Sequence, residues 1–170
     1  MVGNKNKLLE YPRDLVGYNG SYPNPKWPEK AKLAIQFVLN YEEGAENCIL
    51  HGDKQSETFL SEIIGAPAFE NARHMSMESI YEYGSRAGVW RILNLFRERQ
   101  IPITIFAVAM AMQRHPSPIE QAMKDGHEIC SHGLRWINYH GVDINTEREH
   151  LEEAIEIHRQ ICGTRPRGWY

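Results

Sequence analysis

No apolar run in the 170 residues is long enough to span a bilayer, so a membrane-embedded protein is not expected. There is no block of basic residues, and the formal net charge is −3, which argues against a nucleic-acid partner. Cysteine is scarce. Cys48, Cys130 and Cys162 are odd in number and lack metal-type spacing, so they read as free thiols in a reducing compartment, the cytosol. The polar opening, residues 1–7, is not followed by a secretory apolar core. No internal repeat or low-complexity tract is found.

What is present suits a soluble domain with a real core: 42% hydrophobic and 24% charged residues. Residues 1–31 are dense in Pro, Gly, Tyr and Asn, which excludes helix and predicts an extended N-terminal arm. The rest, 32–170, reads as one domain of alternating strands and helices. Residues 33–39 (Leu-Ala-Ile-Gln-Phe-Val-Leu) form a nearly continuous apolar run and predict a strand buried on both faces. A short helix is expected over 57–64, ending at Gly65, and a longer one over 86–99 with Val89, Ile92, Leu93 and Phe96 inward. A second strand is expected over 101–109, and then a helix capped by Ser117 and closed by Gly126. Residues 128–130 predict a third strand. A capping box at Thr146–Glu149 opens the last helix, which Gly163 ends, and 165–170 lead into a fourth strand. The class is α/β with a parallel sheet.

In such folds chemistry gathers at the carboxyl ends of strands. There the first strand delivers Asn40-Tyr41-Glu42-Glu43-Gly44. Two adjacent carboxylates repel, so one of them is expected to have a raised pKa and to exchange protons. The plainer alternative is a solvated acidic loop. His132 follows the third strand, either as a site residue or as a hydrogen-bonded scaffold. The other histidines have no metal-like spacing. The cysteines lack a base and an orienting partner, which argues against a thiol nucleophile.

Three stretches together resemble the polysaccharide deacetylase family: Asn40-Tyr41-Glu42-Glu43-Gly44, Pro102-Ile103-Thr104-Ile105-Phe106, and Gly126-His127-Glu128-Ile129-Cys130-Ser131-His132 continuing to Trp136. The resemblance runs from about residue 33 to the end. It implies the N-terminal half of a distorted, TIM-like (β/α) barrel, truncated before the family's later strands. Classical members bind a divalent metal through an Asp and two His. Here the acids are Glu42 and Glu43, the second His position holds Trp136, and Tyr170 stands where the third motif carries Arg. With only Glu43 and His132 left in that corner, no cofactor is expected, although a weak divalent ion there is left open.

The same departures, together with Tyr11-Pro12-Arg13-Asp14-Leu15-Val16-Gly17-Tyr18 and Met77-Glu78-Ser79-Ile80-Tyr81-Glu82-Tyr83-Gly84-Ser85-Arg86-Ala87-Gly88, resemble the cofactor-independent allantoinase branch. That resemblance implies hydrolysis of a small cyclic amide, allantoin to allantoate, in purine breakdown, by a homo-oligomeric enzyme. Glu42 takes the place of the catalytic base. Glu43 and His132 bind the polar substrate, and Trp136 gives the ring an apolar wall. Tyr83, Arg86 and Tyr170 are further candidates for substrate binding, although Arg86 reads equally as a solvated first-turn residue and Trp136 as core. The alternatives are a chitin or polysaccharide N-deacetylase and a truncated, non-catalytic fragment.

Overall fold

The computed structural model describes residues 12–170; the polar opening and Tyr11 lie outside the described residues. The chain divides into two units, Met1–Ile35 and Gln36–Tyr170. In the described part of the first, the Asp14 carboxylate accepts from the Val16 and Gly17 amides, and Pro28–Lys30 forms a short 3-10 turn.

The second unit holds three parallel strands, β1 (Val38–Tyr41), β2 (Thr104–Ala107) and β3 (Glu128–Ser131), in the order β1-β2-β3. Tyr41 is level with Ala107, and Ala107 with Ser131. Where the entry to a fourth strand is expected, the structure has a single isolated parallel bridge, Ser131 to Trp169. Side chains alternate across the sheet. One face carries Leu39, Tyr41, Ile105, Ala107 and Ile129 into a core closed by Val89, Leu93, Met112 and Ile119. The other face carries Asn40, Phe106 and Cys130 at one level, and Val38, Thr104 and Glu128 two residues earlier.

The first strand begins later than the apolar run suggests. Leu33 and Ile35 are 71% and 70% exposed. Pairing begins where the Thr104 amide donates to the Phe37 carbonyl. β1 is the outer strand of the sheet, so only Tyr41 of its four residues is fully buried, not both faces as expected.

The helices are α1 (Met75–Tyr83), α2 (Val89–Arg99), α3 (Ala109–Arg114), α4 (Ser117–Lys124) and α5 (Ile144–Cys162). A π turn, Gly84–Gly88, joins α1 to α2, so the expected helix over 86–99 is the second part of a longer helical path. The expected second strand over 101–109 is cut short because its apolar run continues into α3. Periodicity cannot divide a buried strand from a buried helix when both are apolar throughout.

Residues 57–64 form no helix. The Glu57 side chain accepts from the Thr58 and Phe59 amides, Leu60 adopts a left-handed φ of 51°, and a Gln55–Glu70 bridge closes the loop. The start of α5 is capped by Asp143, which accepts from the Asn145 and Thr146 amides, so Thr146 lies inside the first turn. Ser117 likewise is the first helical residue of α4 and makes no capping bond. Gly126 and Gly163 have the left-handed φ values of helix ends, 81° and 75°. Among the described residues, no helix is long and apolar enough to cross a membrane.

Leu93 is completely buried where α2 meets the sheet. Leu93→Ala is expected to cost about 2–5 kcal/mol in urea unfolding, through lost burial and the cavity left behind.

Candidate active site

Register builds the site. Tyr41, buried at the end of β1, donates its hydroxyl to the His115 carbonyl at 2.9 Å and so fixes where the following loop leaves the sheet. Gly44 takes a left-handed φ of 94°, and its carbonyl accepts from Arg114. The Glu46 carboxylate holds the Gly44 amide at 2.6 Å. At the end of β3, the His132 amide donates to the Ala107 carbonyl at 3.0 Å. The loop that follows is fastened to the first one by the Trp136 amide, which donates to the Ala45 carbonyl at 3.0 Å.

Between the two loops, His132 Nε2 lies 2.8 Å from Glu42 Oε1, and His132 Nδ1 lies 2.8 Å from the Tyr170 carbonyl oxygen. A carbonyl oxygen only accepts, so Nδ1 carries a proton; facing a carboxylate, Nε2 is best satisfied carrying one as well. The ring is then an imidazolium paired with Glu42. In agreement, the His132 pKa is raised above 6.5, chiefly by the Glu42 hydrogen bond, with burial opposing and the Tyr170 carbonyl and the Glu42 charge assisting. Asn40 Nδ2 donates to the same Glu42 oxygen at 3.1 Å. Glu42 is only 8% exposed. The Tyr170 ring stacks on Phe106 at 4.5 Å and flanks His132 at 5.4 Å.

Glu43 faces elsewhere. Its carboxylate lies against Gly84 of the π turn and accepts from the Glu42 amide at 3.3 Å. Its pKa is raised, first by burial and then by the charges of Glu42 and Glu46, with backbone hydrogen bonds opposing. The expectation that one of the two acids is perturbed therefore falls on Glu43, with burial ahead of like-charge repulsion as the cause. Glu43 also lines a cavity of about 340 Å³ with Glu46, Ser85, Arg86, Arg114 and His115.

The expected site residues thus fall into three groups. Glu42, His132 and Tyr170 meet at the strand ends, joined by Asn40 and Phe106. Glu43 lies beside Tyr83 and the Arg86 cavity on the side of α1 and the π turn. Arg86 is exposed and pairs with Glu82 at 3.4 Å, while the Tyr83 hydroxyl accepts from Arg91 at 2.8 Å. Trp136 packs edge-on against Tyr81 at 5.8 Å and near Phe59 at 6.4 Å. The partner found for His132 is Glu42, where the sequence suggested Glu43, because the loop turns the second acid towards α1. Asn40 and Phe106 were missed, although their strand-face parity with Glu42 was available once the strands were placed.

A catalytic zinc takes three protein ligands. Among the described residues, no three His, Cys, Asp or Glu side chains converge to hold a metal ion. Both nitrogens of His132 are engaged, one by the Glu42 carboxylate and one by the Tyr170 carbonyl.

The ion pair sets a pH dependence. Because the folded pKa of His132 lies above 6.5, the stability it contributes is complete below 6.5 and is lost as pH rises through the folded value. An NMR titration of His132 is expected to give a midpoint above 6.5, and Glu42→Gln to bring it down towards that value.

Comparison with known proteins bears on the family and the fold. Residues 71–170 match the family described as "Polysaccharide deacetylase". A Schizosaccharomyces pombe protein provisionally named as a polysaccharide deacetylase is 43% identical over 165 residues, covering 93% of this chain and 51% of its own length. The crystal structure of Puue allantoinase is 61% identical with a TM-score of 0.89, covering 95% of this chain and 53% of that one. A Pseudomonas aeruginosa PAO1 structure, provisionally described as a polysaccharide deacetylase, is also 61% identical with a TM-score of 0.89, covering 94% and 53%. The chain spans about half the length of these relatives. Its parallel strands and flanking helices are correspondingly part of a TIM-like barrel, and on these grounds the chain belongs to the polysaccharide deacetylase family.

Proposed function

We propose that the protein is a hydrolase of non-peptide amide bonds that opens the ring of allantoin to give allantoate, with no metal in the reaction. The observation that carries this reading is the carboxylate–imidazolium pair, Glu42 and His132, at the ends of β1 and β3. The likeness to Puue allantoinase supports the choice of substrate.

Ring opening needs a base for water, a donor for the oxyanion and a proton for the leaving nitrogen. Asn40 and His132 both engage Glu42 Oε1, which leaves Oε2 to take a proton from water. The hydroxide oxygen bonds to the ring carbonyl carbon, and the carbonyl electron pair moves onto oxygen. As Glu42 takes up the proton, its hold on the His132 Nε2–H loosens, and that charged N–H turns to the oxyanion. When the oxyanion collapses, the carbon–nitrogen bond breaks. The proton held by Glu42 passes to the departing nitrogen, which regenerates the carboxylate. The stacked Tyr170 and Phe106 rings supply a flat apolar wall beside His132. Glu43, whose raised pKa favours the neutral acid, would hold a polar edge of the substrate. A cytosolic setting, a role in purine breakdown and assembly of identical subunits belong to the same reading. The three unpaired thiols support the first of these.

The second reading is a polysaccharide N-deacetylase, favoured by the family match over residues 71–170. Assays on the full-length protein separate the two. Allantoin hydrolysis that persists in a chelator, and falls by about 10²-fold or more in Glu42→Gln, is the expected result. Acetate release from a chito-oligosaccharide that chelation abolishes would install the second reading. A folded protein inactive on both substrates would leave a non-catalytic relative.

A further inference from the structure

The helical path from Met75 to Arg99 contains two glycines, Gly84 and Gly88, although glycine weakens a helix interior. Neither is there for backbone conformation. Gly84 has φ −54° and ψ −52° and Gly88 has φ −59° and ψ −49°, values any residue adopts. The two differ in the space around them. A Cβ on Gly88 would meet Tyr83 atoms at 3.7 Å, an ordinary contact. A Cβ on Gly84 would lie 2.1 Å from Glu43 Oε1 and 2.9 Å from Glu43 Cδ, where no atom fits.

We propose that Gly84 is a positioning residue: the π turn it opens leaves a seat, bare of any Cβ, in which the Glu43 carboxylate is held against the helix backbone. A π turn widens one turn of a helix and is found preferentially at functional sites. Here the bare Gly84 backbone faces a carboxylate that also accepts the Glu42 amide. The seat therefore fixes both acids, Glu43 directly and Glu42 through its own backbone N–H.

The nearest atoms to a new Cβ belong to the far end of a flexible side chain, so Gly84→Ala should move Glu43 and leave the helix intact. Alanine also improves helix propensity at that position. The charged and titratable groups around Glu43 are Glu42 and Glu46 of its own loop, Tyr41, Glu62 of the loop before α1, Glu78, Tyr81, Glu82 and Tyr83 of α1, Arg86 of the π turn, and Arg114 and His115 after β2. Farther round the same cavity are His51 and Arg73. None of them changes in the variant.

The test compares parent, Gly84→Ala and Gly88→Ala in the full-length protein. The Glu43 carboxyl carbon is followed by NMR through a pH titration, and allantoin turnover is measured alongside. In Gly84→Ala the Glu43 midpoint is expected to fall from its raised position towards 4.5, because the carboxylate leaves its buried seat. Turnover is expected to fall by about 10²-fold, the scale of an ångström-level misplacement. Gly88→Ala should match the parent in both. An unchanged Glu43 titration in Gly84→Ala, or an equal shift in Gly88→Ala, overturns the proposal. The kinetic arm rests on the hydrolase reading and the titration does not. A parent inactive on allantoin therefore removes that reading while the Glu43 midpoint still judges the seat. Should Gly84→Ala fail to fold, the double variant Glu43→Ala/Gly84→Ala is expected to fold, since the clashing atoms are gone. A double variant that also fails overturns the proposal.

Discussion

The parallel register of three short strands is the constraint on which the rest depends. Tyr41, Ala107 and Ser131 are level with one another, so the residues that follow β1 and β3, Glu42 and His132, leave the sheet at the same height. Two strand spacings separate them, roughly 9–10 Å. A glutamate and a histidine reaching over the middle strand can close that gap, and here they close to 2.8 Å. A slip of one residue would turn one of the two onto the helix-packed face and destroy the pair. Tyr41 resists such a slip. Its ring is buried in the core, and its hydroxyl is bonded to the His115 carbonyl beyond α3.

From that constraint follows the division of labour between two acids adjacent in sequence. Glu42 receives the His132 imidazole and the Asn40 amide as hydrogen-bond partners, which satisfy a buried polar group. Glu43 receives burial, two like charges and a glycine seat, which favour the neutral form. Adjacent residues thus meet different surroundings because successive side chains leave the strand end on opposite sides, Glu42 towards His132 and Glu43 towards Gly84.

Much of this was legible in the residues. The strand-end position of Glu42 and His132 followed from apolar runs bounded by glycine, and the parallel class from their alternation with helices. Sequence failed where local chemistry outweighed pattern. The run at 33–39 gave no sign that pairing would start only at Phe37, because the beginning of a ladder depends on its partner's Thr104. The spacing over 57–64 suited a helix, yet the Glu57 carboxylate competes for the amides that would open one. The direction of Glu43 was hidden as well. It depends on a π turn forty residues later, and a π turn has no periodic signature of its own. Asn40 was readable only after the strand was fixed, when two-residue parity puts it on the same face as Glu42.

Trp136 fastens the loop after β3 by its backbone and its ring. By family resemblance its position belongs to a histidine that would tie the loop after β3 to an ion. In this chain the loop is tied instead by its backbone, through the Trp136 amide to the Ala45 carbonyl, and by the indole against Tyr81 and Phe59. An edge-to-face aromatic pair contributes about 0.5–1.5 kcal/mol beyond burial. That is far less than a coordinate bond supplies, but it is spread over three segments: the loop after β1, the irregular loop around Phe59, and α1. The loop bearing His132 is therefore braced by packing from the side on which Glu43 lies. The bracing is thus distributed over the rim of the strand ends, and the imidazole it holds stays paired with Glu42.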